Sequence, residues 1–286
     1  MLFRSLIKGQ FLGAREQKKT GEVARDRAPK FSFDEGLQVL PDTLAAQLGD
    51  AVKLNSPVTK LTQTDSGWRV TTANGEAEHD AVIYCGTAHR LAELQIDGAP
   101  ISKSACSSDT DAPNQSSALQ SLGAIRHPPV ASVVLGFRRE DVAHPCNGFG
   151  MLIPKIEGCN ILGTIFSSAL FPNRAPGGHV LLTSYVGGER QPELALLPPE
   201  KLIETTLTDL RSLLGVKGQP VFTHTHTWPR AIPQYNVGYG QFKQLLADME
   251  ARSPGLFFAG SYRDGVSLGD SIVSGVNIAE RVQKLF

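Results

Sequence analysis

The fold is decided by the stretch Pro254-Gly-Leu-Phe-Phe-Ala-Gly260-Ser-Tyr-Arg-Asp-Gly265-Val-Ser-Leu-Gly269-Asp-Ser-Ile-Val-Ser-Gly275-Val-Asn-Ile-Ala279. Leu256 to Ala259 form a short apolar run, which is typical of a fully buried strand. A polar loop starts at Gly260, and from about Gly269 the spacing predicts a helix with three apolar residues on one face: Ile272, Val276 and Ala279. A strand, a glycine loop and a helix N-terminus present free N–H groups to an anion or an electron-rich ring.

Length and composition indicate an ordinary globular protein. The 286 residues suffice for one large domain or two smaller ones, with 41% apolar and 20% charged residues. The net charge of zero gives no sign of a nucleic-acid partner. Four widely spaced cysteines without a Cys-x-x-Cys motif favour a reduced, cytoplasmic compartment. Residues 1–30 are read as a charged N-terminal segment whose amphipathic start suits peripheral contact with a membrane.

The first half of the chain is predicted to be rich in strands. A leucine stripe from Leu37 to Leu48 predicts a helix that ends at Gly49. Strands are predicted over 52–54 and 58–61, followed by a hairpin of 68–72 with 77–84 around the turn 73–75. Residues 80–85 read as a buried strand, and a helix is expected from Gly86. Residues 99–118 are rich in serine and aspartate and are predicted to be a polar insertion or linker.

The second half of the chain is predicted to form a sheet of neighbouring antiparallel strands. Four apolar segments separated by proline and glycine turns read as strands: 130–137, 149–153, 161–166 and 179–186. A helix is predicted from Pro199 to Gly215. Residues 221–228 alternate strictly and place four side chains on one face, Phe222, His224, His226 and Trp228, and a helix containing Phe242 and Met249 follows.

Several chemistries are compatible with single residues. His224 and His226 share a strand face, but two ligands are too few for a metal site, and the pair is more often structural. No Gly-x-Ser-x-Gly motif or activated cysteine indicates a nucleophile. Asp264 and Asp270 could be the paired carboxylates of a hydrolase, but they are equally typical of solvated or helix-capping residues. The residues alone therefore assign no catalytic side chain.

Longer motifs provide a resemblance to a known family. Leu256 to Gly275 closely resembles the C-terminal FAD motif of protoporphyrinogen oxidases, which belong to the flavin amine-oxidase-like superfamily. Further similar segments follow in the same order along almost the whole chain: Ser5–Gly9, Phe31–Asp42, Pro128–Phe137, Gly148–Pro154, Leu162–Ser168, Phe171–Pro176 and Tyr185–Gly188. The pair Gly-Thr-x-Phe-Ser-Ser and Phe-Pro-x-Arg-Ala-Pro resembles this family in particular within the superfamily.

The resemblance implies roles for individual positions. Val58 would give a main-chain contact to the adenosine of FAD, and Trp228 would lie near the flavin. The isoalloxazine edge would be lined by Val266, Ser267 and Leu268. Apolar walls around the tetrapyrrole would come from Leu152, Ile165 and Tyr185, although ordinary sheet core explains the same residue types. The implied reaction removes six electrons from a porphyrinogen, and molecular oxygen reoxidises the flavin.

Departures from the family pattern limit what the resemblance implies. Ser261 replaces the usual Asn or acidic residue, and Asp264 and Asp270 place negative charge near a phosphate-bearing cofactor. The chain contains no Gly-x-Gly-x-x-Gly motif, on which the pyrophosphate of a dinucleotide rests. The family's first βαβ unit, its membrane-associated helical insert and its propionate-binding arginine precede the matching region. The chain is therefore predicted to be a truncated or split form.

The predicted fold class is α/β (α+β), as the C-terminal part of a two-domain FAD-dependent oxidase. Residues 31–98 and 250–286 are expected in an incomplete FAD-binding domain, and 119–249 in a substrate domain built on a mixed or antiparallel sheet. The expected partners are a porphyrinogen, oxygen, and a separately encoded N-terminal half or a second copy. An inactive binding module remains an alternative, as does another amine-oxidase-like enzyme such as a desaturase or amine oxidase.

Overall fold

A computed structural model describes residues 31–97 and 119–285. The chain divides into two units, residues 1–52 and 53–286. The described part of the first unit contains helix α1 (Val39–Leu48) and a 3₁₀ turn (Gly49–Ala51). The helix predicted from the leucine stripe is confirmed, and it ends at Gly49 with a φ of 51°. None of its residues is buried, however.

The second unit begins with a four-stranded sheet of order β3-β2-β1-β5. Its strands are β1 (Val58–Gln63), β2 (Trp68–Thr72), β3 (Gly75–His79) and, after β4 (Val82–Tyr84), β5 (Gln95–Asp97). The predicted hairpin is confirmed, because β2 and β3 pair antiparallel and Gly75 turns with a φ of 130°. The strand predicted over 52–54 is wrong, since this short segment ends in a turn. The run predicted over 77–84 splits at Asp80 into strands of two different sheets.

A separate pair of parallel strands connects residues far apart in sequence. Strand β11 (Leu256–Phe258) pairs with β4, so that Leu256 lies opposite Val82 and Phe258 opposite Tyr84. Helix α2 (Ala88–Leu91) follows β4 as predicted, and helix α6 (Leu268–Gln283) follows β11 after a loop. All three residues of β11 are buried. The strand–loop–helix unit expected from the deciding stretch is confirmed.

The remaining strands form a five-stranded antiparallel sheet of order β10-β6-β9-β8-β7. They are β6 (Val130–Arg138), β7 (Gly150–Leu152), β8 (Ile161–Phe166), β9 (His179–Gly187) and β10 (Phe222–Trp228). The remaining helices are α3 (Ser167–Leu170), α4 (Pro199–Leu214) and α5 (Gly240–Arg252), and 3₁₀ turns lie at Leu122–Ala124, Arg139–Asp141, Lys155–Glu157 and Pro192–Leu196. The sheet predicted from the spacing of apolar segments is confirmed.

Two large hydrophobic cores among the described residues stabilise these layers, and a smaller third cluster joins Phe257 and Ala259 to Ile278 of α6. In the first, alternate residues of β6 and β9, among them Val133 and Leu182, cluster with apolar residues of α4 such as Leu210. The second core joins β1 and β2 to residues 119–125, α5 and β11. At its centre Trp68 is fully buried, and its indole Nε1–H donates to the carbonyl of Pro254 at 2.9 Å. The assignment of sequence segments to FAD and substrate domains stays a prediction.

Candidate functional site

One face of the five-stranded sheet packs on the first core, and the opposite face is open. Cross-strand partners point to the same side of a sheet, so the register gives the composition of each transverse row. One row runs across all five strands from β7 to β10: Leu152, Gly163, Tyr185, Ser132 and His226. With strands about 4.8 Å apart, such a row spans roughly 19 Å. This open face, termed the floor, is therefore a broad surface on which a flat molecule can lie.

Leu152, Ile165 and Tyr185, which are separated by up to 33 positions in sequence, line the same groove on this floor. The groove has a volume of about 260 Å³ and an almost entirely apolar lining. Gly163, between Leu152 and Tyr185 in the row, also lines the groove, and a Cβ there would lie 2.4 Å from the carbonyl oxygen of Met151, so glycine lets β7 and β8 approach closely. Leu152 is 90% exposed, so burial in the protein core does not explain an apolar residue at this position.

Trp228 lies on the same open face, at the end of β10. It is 43% exposed, and its ring contacts that of His226 edge to face at a centroid distance of 4.3 Å. The predicted alternation of β10 is confirmed, since His224 and His226 occupy the same face as Trp228. The described residues contain no cluster of three or more metal-ligating side chains. His226 is therefore a polar, titratable group on an otherwise largely apolar floor.

The loop between β11 and α6 is folded tightly around two glycines. Gly260 and Gly265 adopt positive φ values of 115° and 130°. A Cβ on Gly265 would lie 2.6 Å from the carboxylate of Asp270, so glycine is required there. Ser267 caps α6 by accepting from the amide of Asp270 at 3.0 Å. The first two amides of the helix, those of Leu268 and Gly269, have no intrahelical acceptor.

The two aspartates of this loop form bonds within the chain. Asp264 accepts from the amide of Gly260 at 3.4 Å and from the hydroxyl of Ser274. Asp270 accepts from the amide of Ser267 at 3.1 Å and completes a capping box. Both carboxylates thus stabilise the loop and the helix terminus, which is the capping role that the sequence left open for Asp270.

A largely buried ion cluster around Glu250 holds the loop in place. Glu250 of α5 accepts from the amide of Phe258 at 2.9 Å and from Arg281 of α6 at 2.7 Å, and it also pairs with Arg263 of the loop. Its side chain is only 9% exposed. Burial raises the pKa of Glu250, but the hydrogen bonds from Arg263, Arg281 and Phe258 outweigh that effect and hold the pKa below its usual range. Sequence reasoning missed this cluster, because its members are spread over 31 positions on different elements.

Two tyrosines hold the other side of the loop. The hydroxyl of Tyr235 donates to the carbonyl of Ser261 at 2.6 Å and accepts from the amide of Gly265 at 3.1 Å. The hydroxyl of Tyr239 donates to the carbonyl of Tyr262 at 2.6 Å. The rings of Tyr235 and Tyr239 stack at a centroid distance of 4.3 Å. Both therefore position the backbone that precedes α6, a role that no sequence motif indicated.

Val58 lies at the start of β1, beside the parallel pair β4–β11. It is 43% exposed and lines a cleft of about 700 Å³ that also includes Ile83 and Tyr84 of β4. Burial raises the pKa of Tyr84 to about 12, and its hydroxyl donates to the carbonyl of Thr87 at 2.8 Å. The cleft thus combines a main-chain edge with a neutral phenol. The structure does not place Val58 in the groove formed by Leu152, Ile165 and Tyr185.

The positions predicted to line a flavin edge are accessible. Val266 and Leu268 are 42% and 48% exposed on either side of the capping residue Ser267. The same helix exposes an apolar stripe further along, formed by Ile272, Val273 and Val276. The apolar helix face predicted from the sequence is thus present, but it is exposed. The buried residues of the helix are instead Ser274 and Ile278.

Comparison with known proteins assigns the family. The sequence profile described as "Flavin containing amine oxidoreductase" matches residues 7–283. The chain belongs to this family. Within it, the chain is 33% identical over 285 residues to protoporphyrinogen oxidase 2, chloroplastic/mitochondrial, of Arabidopsis thaliana. It is 28% identical over 279 residues to coproporphyrinogen III oxidase of Bacillus subtilis (strain 168).

Both relatives are longer than this chain. The Arabidopsis match covers 94% of this chain but 53% of the relative, and the Bacillus match covers 95% and 55%. The chain therefore spans about half the length of the curated relatives it matches. None of the helices over 31–97 and 119–285 is long and apolar enough to cross a bilayer.

Solved structures share the fold of this family member. A crystal structure from Exiguobacterium sp. 255-15, provisionally assigned as a protoporphyrinogen oxidase, superposes with a TM-score of 0.72 at 22% identity. It covers 95% of this chain and 57% of that one. Putrescine oxidase bound to putrescine gives a TM-score of 0.60 at 18% identity, over 87% and 53% of the two chains. The α/β architecture predicted from the sequence is confirmed at the level of the fold.

Proposed function

We propose that this chain forms the flavin-ring side and the substrate floor of an FAD-dependent porphyrinogen oxidase. The observation that carries the proposal is the apolar groove of Leu152, Ile165 and Tyr185, on the open sheet face that also bears Trp228. A flat, largely apolar macrocycle needs such a surface and few polar groups. The substrate class is that of the relatives' names, protoporphyrinogen IX or coproporphyrinogen III.

The loop before α6 fits an isoalloxazine ring. Gly265 leaves no Cβ on the backbone, and the amides of Leu268 and Gly269 point out of the helix at the positive end of its dipole. Val266, Ser267 and Leu268 would line the ring edge, and the main chain of Val58 would contact the adenosine. When bound, FAD would accept the electrons of the substrate, with molecular oxygen as the final acceptor.

The residues of this chain would bind and orient rather than exchange protons. Leu152, Ile165 and Tyr185 would hold the macrocycle by apolar contact, and Trp228 would limit its approach to the flavin. Glu250 and Tyr235 would hold the loop so that the free helix amides stay aimed at the electron-rich ring. No side chain of the groove is proposed as a catalytic base.

A second polypeptide, or a second copy of the chain, would complete this arrangement. Strand β4 pairs only on one side among the described residues, and Ile83 on it is 40% exposed. Parallel sheets are normally covered on both faces and continue at their edges. A further strand would pair with this edge, and a further helix would pack on the exposed stripe of α6 formed by Ile272, Val273 and Val276. The segment of the relatives that the chain does not match is one source of such a strand and helix.

The first experiment measures cofactor binding by the chain alone. We expect weak FAD binding, because the sequence contains no phosphate-binding Gly-x-Gly-x-x-Gly loop. FAD should therefore bind in equilibrium dialysis but be lost during gel filtration. Stoichiometric FAD after gel filtration would contradict a divided cofactor site, whereas no binding at all would favour an inactive module.

The second experiment measures activity after supplying the unmatched segment of the Arabidopsis relative as a separate polypeptide. Porphyrin fluorescence should appear when a porphyrinogen is added in the presence of FAD. Leu152→Ser should raise KM about tenfold, because about 1.5 kcal/mol of apolar contact is lost. Ile156→Ser is the matched control, since Ile156 is 91% exposed but lies outside the groove. Equal KM values for the two variants, or oxidation of amines instead of porphyrinogens, would refute the assignment.

A further inference from the structure

A second, polar cavity lies apart from the apolar groove and the loop before α6. It has a volume of about 440 Å³ and lies between α2, the 3₁₀ turn at Leu122–Ala124 and the segment after β10. Its lining includes four basic side chains, His89, Arg126, His127 and Arg230. None of these residues was singled out by the sequence, because they come from three separate segments.

The charges around this cavity do not balance. Arg126 pairs with Glu189 at 2.8 Å. The carboxylate of the lining, Glu93, is bound to Arg90 at 2.8 Å. Arg230 is exposed and forms no ion pair within 4 Å with any carboxylate in residues 31–97 and 119–285. The guanidinium of Arg230 interacts electrostatically with Glu93, but that carboxylate already pairs with Arg90, so the cavity keeps an excess of positive charge.

The two histidines add unused hydrogen-bonding capacity. His127 donates through Nδ1–H to the carbonyl of Ile125 at 2.9 Å, which leaves Nε2 available. Its ring meets that of His89 edge to face at 5.1 Å. His89 contacts the hydroxyl of Thr87 through Nε2 at 3.2 Å, and its buried Nδ1 has no hydrogen-bond partner. Burial, His127 and Arg230 together lower the pKa of His89.

We propose that this cavity binds an oxyanion, either a phosphate or a carboxylate group. The planar guanidinium of Arg230 would bind two oxygens, and the ring of His127, which lines the same cavity, would contact the same group through Nε2. A bound negative charge would also offset the positive charge of Arg230, which forms no ion pair with a carboxylate of the described residues. The proposal concerns a site outside the flavin and tetrapyrrole surfaces and holds whether or not the chain has oxidase activity.

The test titrates the full chain with three probes at neutral pH and constant ionic strength. Inorganic phosphate, pyrophosphate and acetate are added separately, and the side-chain nitrogen signals of His89 and His127 are followed by NMR. We expect a saturable shift at millimolar concentrations, confined to these two histidines. A tighter response to the phosphates assigns a phosphate site, and a tighter response to acetate assigns a carboxylate site.

Variants make the test specific. Arg230→Gln should weaken binding at least tenfold, and His127→Gln should weaken it as well. Arg138→Gln is the matched control, because Arg138 is an exposed arginine at the end of β6 that does not line the cavity. Shifts that do not saturate, or equal affinities for Arg230→Gln and Arg138→Gln, would overturn the proposal.

Discussion

Replacement of Glu250 by glutamine should destabilise the protein far more than an exposed substitution of the same kind. Glu250 is 9% exposed and its carboxylate contacts Arg263, Arg281 and the amide of Phe258. Glutamine keeps the shape and one acceptor, but it leaves the 17% exposed Arg263 with only the more distant carboxylate of Asp264, 3.9 Å away, as a counter-charge. Breaking a buried ion pair costs about 3–5 kcal/mol, and Arg281, at 42% exposure, recovers part of its hydration. We therefore expect a loss of about 3 kcal/mol.

The assay is urea unfolding followed by circular dichroism, with Glu204→Gln as the matched control. Glu204 pairs with Lys201 at 2.7 Å, but both side chains are about two-thirds exposed. Such a surface pair contributes little to stability, because both charges stay hydrated and their attraction is screened by solvent. A loss for Glu250→Gln below about 1 kcal/mol, or equal to that of Glu204→Gln, would refute the view that the cluster holds the loop.

The same cluster predicts a pH dependence. The folded-state pKa of Glu250 is depressed, so its contribution is present above the unfolded pKa of about 4.3 and is lost as the pH falls through the folded value. The wild-type protein should therefore lose stability more steeply than Glu250→Gln below about pH 4.5. Parallel curves for the two proteins over that range would contradict this assignment of the cluster.

Three further predictions concern the region around the loop. Tyr235→Phe removes two hydrogen bonds and should cost about 1–2 kcal/mol, with faster hydrogen exchange at the amide of Gly265; unchanged exchange would contradict the positioning role. Ser267→Ala should cost about 1 kcal/mol through loss of the helix cap, measured by denaturation, whereas Ser267→Asp should retain it. Burial and Asp264 raise the pKa of the Cys85 thiol. In the folded protein, the rate of Cys85 alkylation by iodoacetamide should therefore keep rising with pH above about pH 8.5, the pKa of free cysteine. In urea, the pH dependence of this rate should become that of free cysteine.

The sequence predicted those parts of the fold that depend on local pattern. Strict alternation gave the face of β10 that carries His226 and Trp228, and glycine with apolar spacing gave the strand, loop and helix at the carboxyl end. Both signals are local, because side-chain periodicity and backbone conformation are set within a few residues. The strand predicted over 52–54 failed because such a short apolar run does not determine whether a partner strand is present.

The parts that sequence missed depend on contacts between distant segments. The resemblance suggested Leu152, Ile165 and Tyr185, but only the strand register and the lining of the groove show that these three residues meet on one face of the sheet. Glu250 had no distinguishing neighbours in sequence, since its partners lie on the loop and on α6. The outward orientation of the stripe on α6 was likewise not predictable, because helical spacing defines a face but not what covers it.

The positions of the two tryptophans provide the chain with separate optical reporters. Trp68 is fully buried and bonded to Pro254, so its emission should be blue-shifted and inaccessible to a quencher such as acrylamide until the second core unfolds. Trp228 is 43% exposed on the open sheet face, so acrylamide should quench it in the folded protein. A porphyrin lying on that face would accept excitation energy from Trp228, and a Trp228→Phe variant would isolate the signal of the core. Binding and unfolding can thus be followed in one sample without an external label.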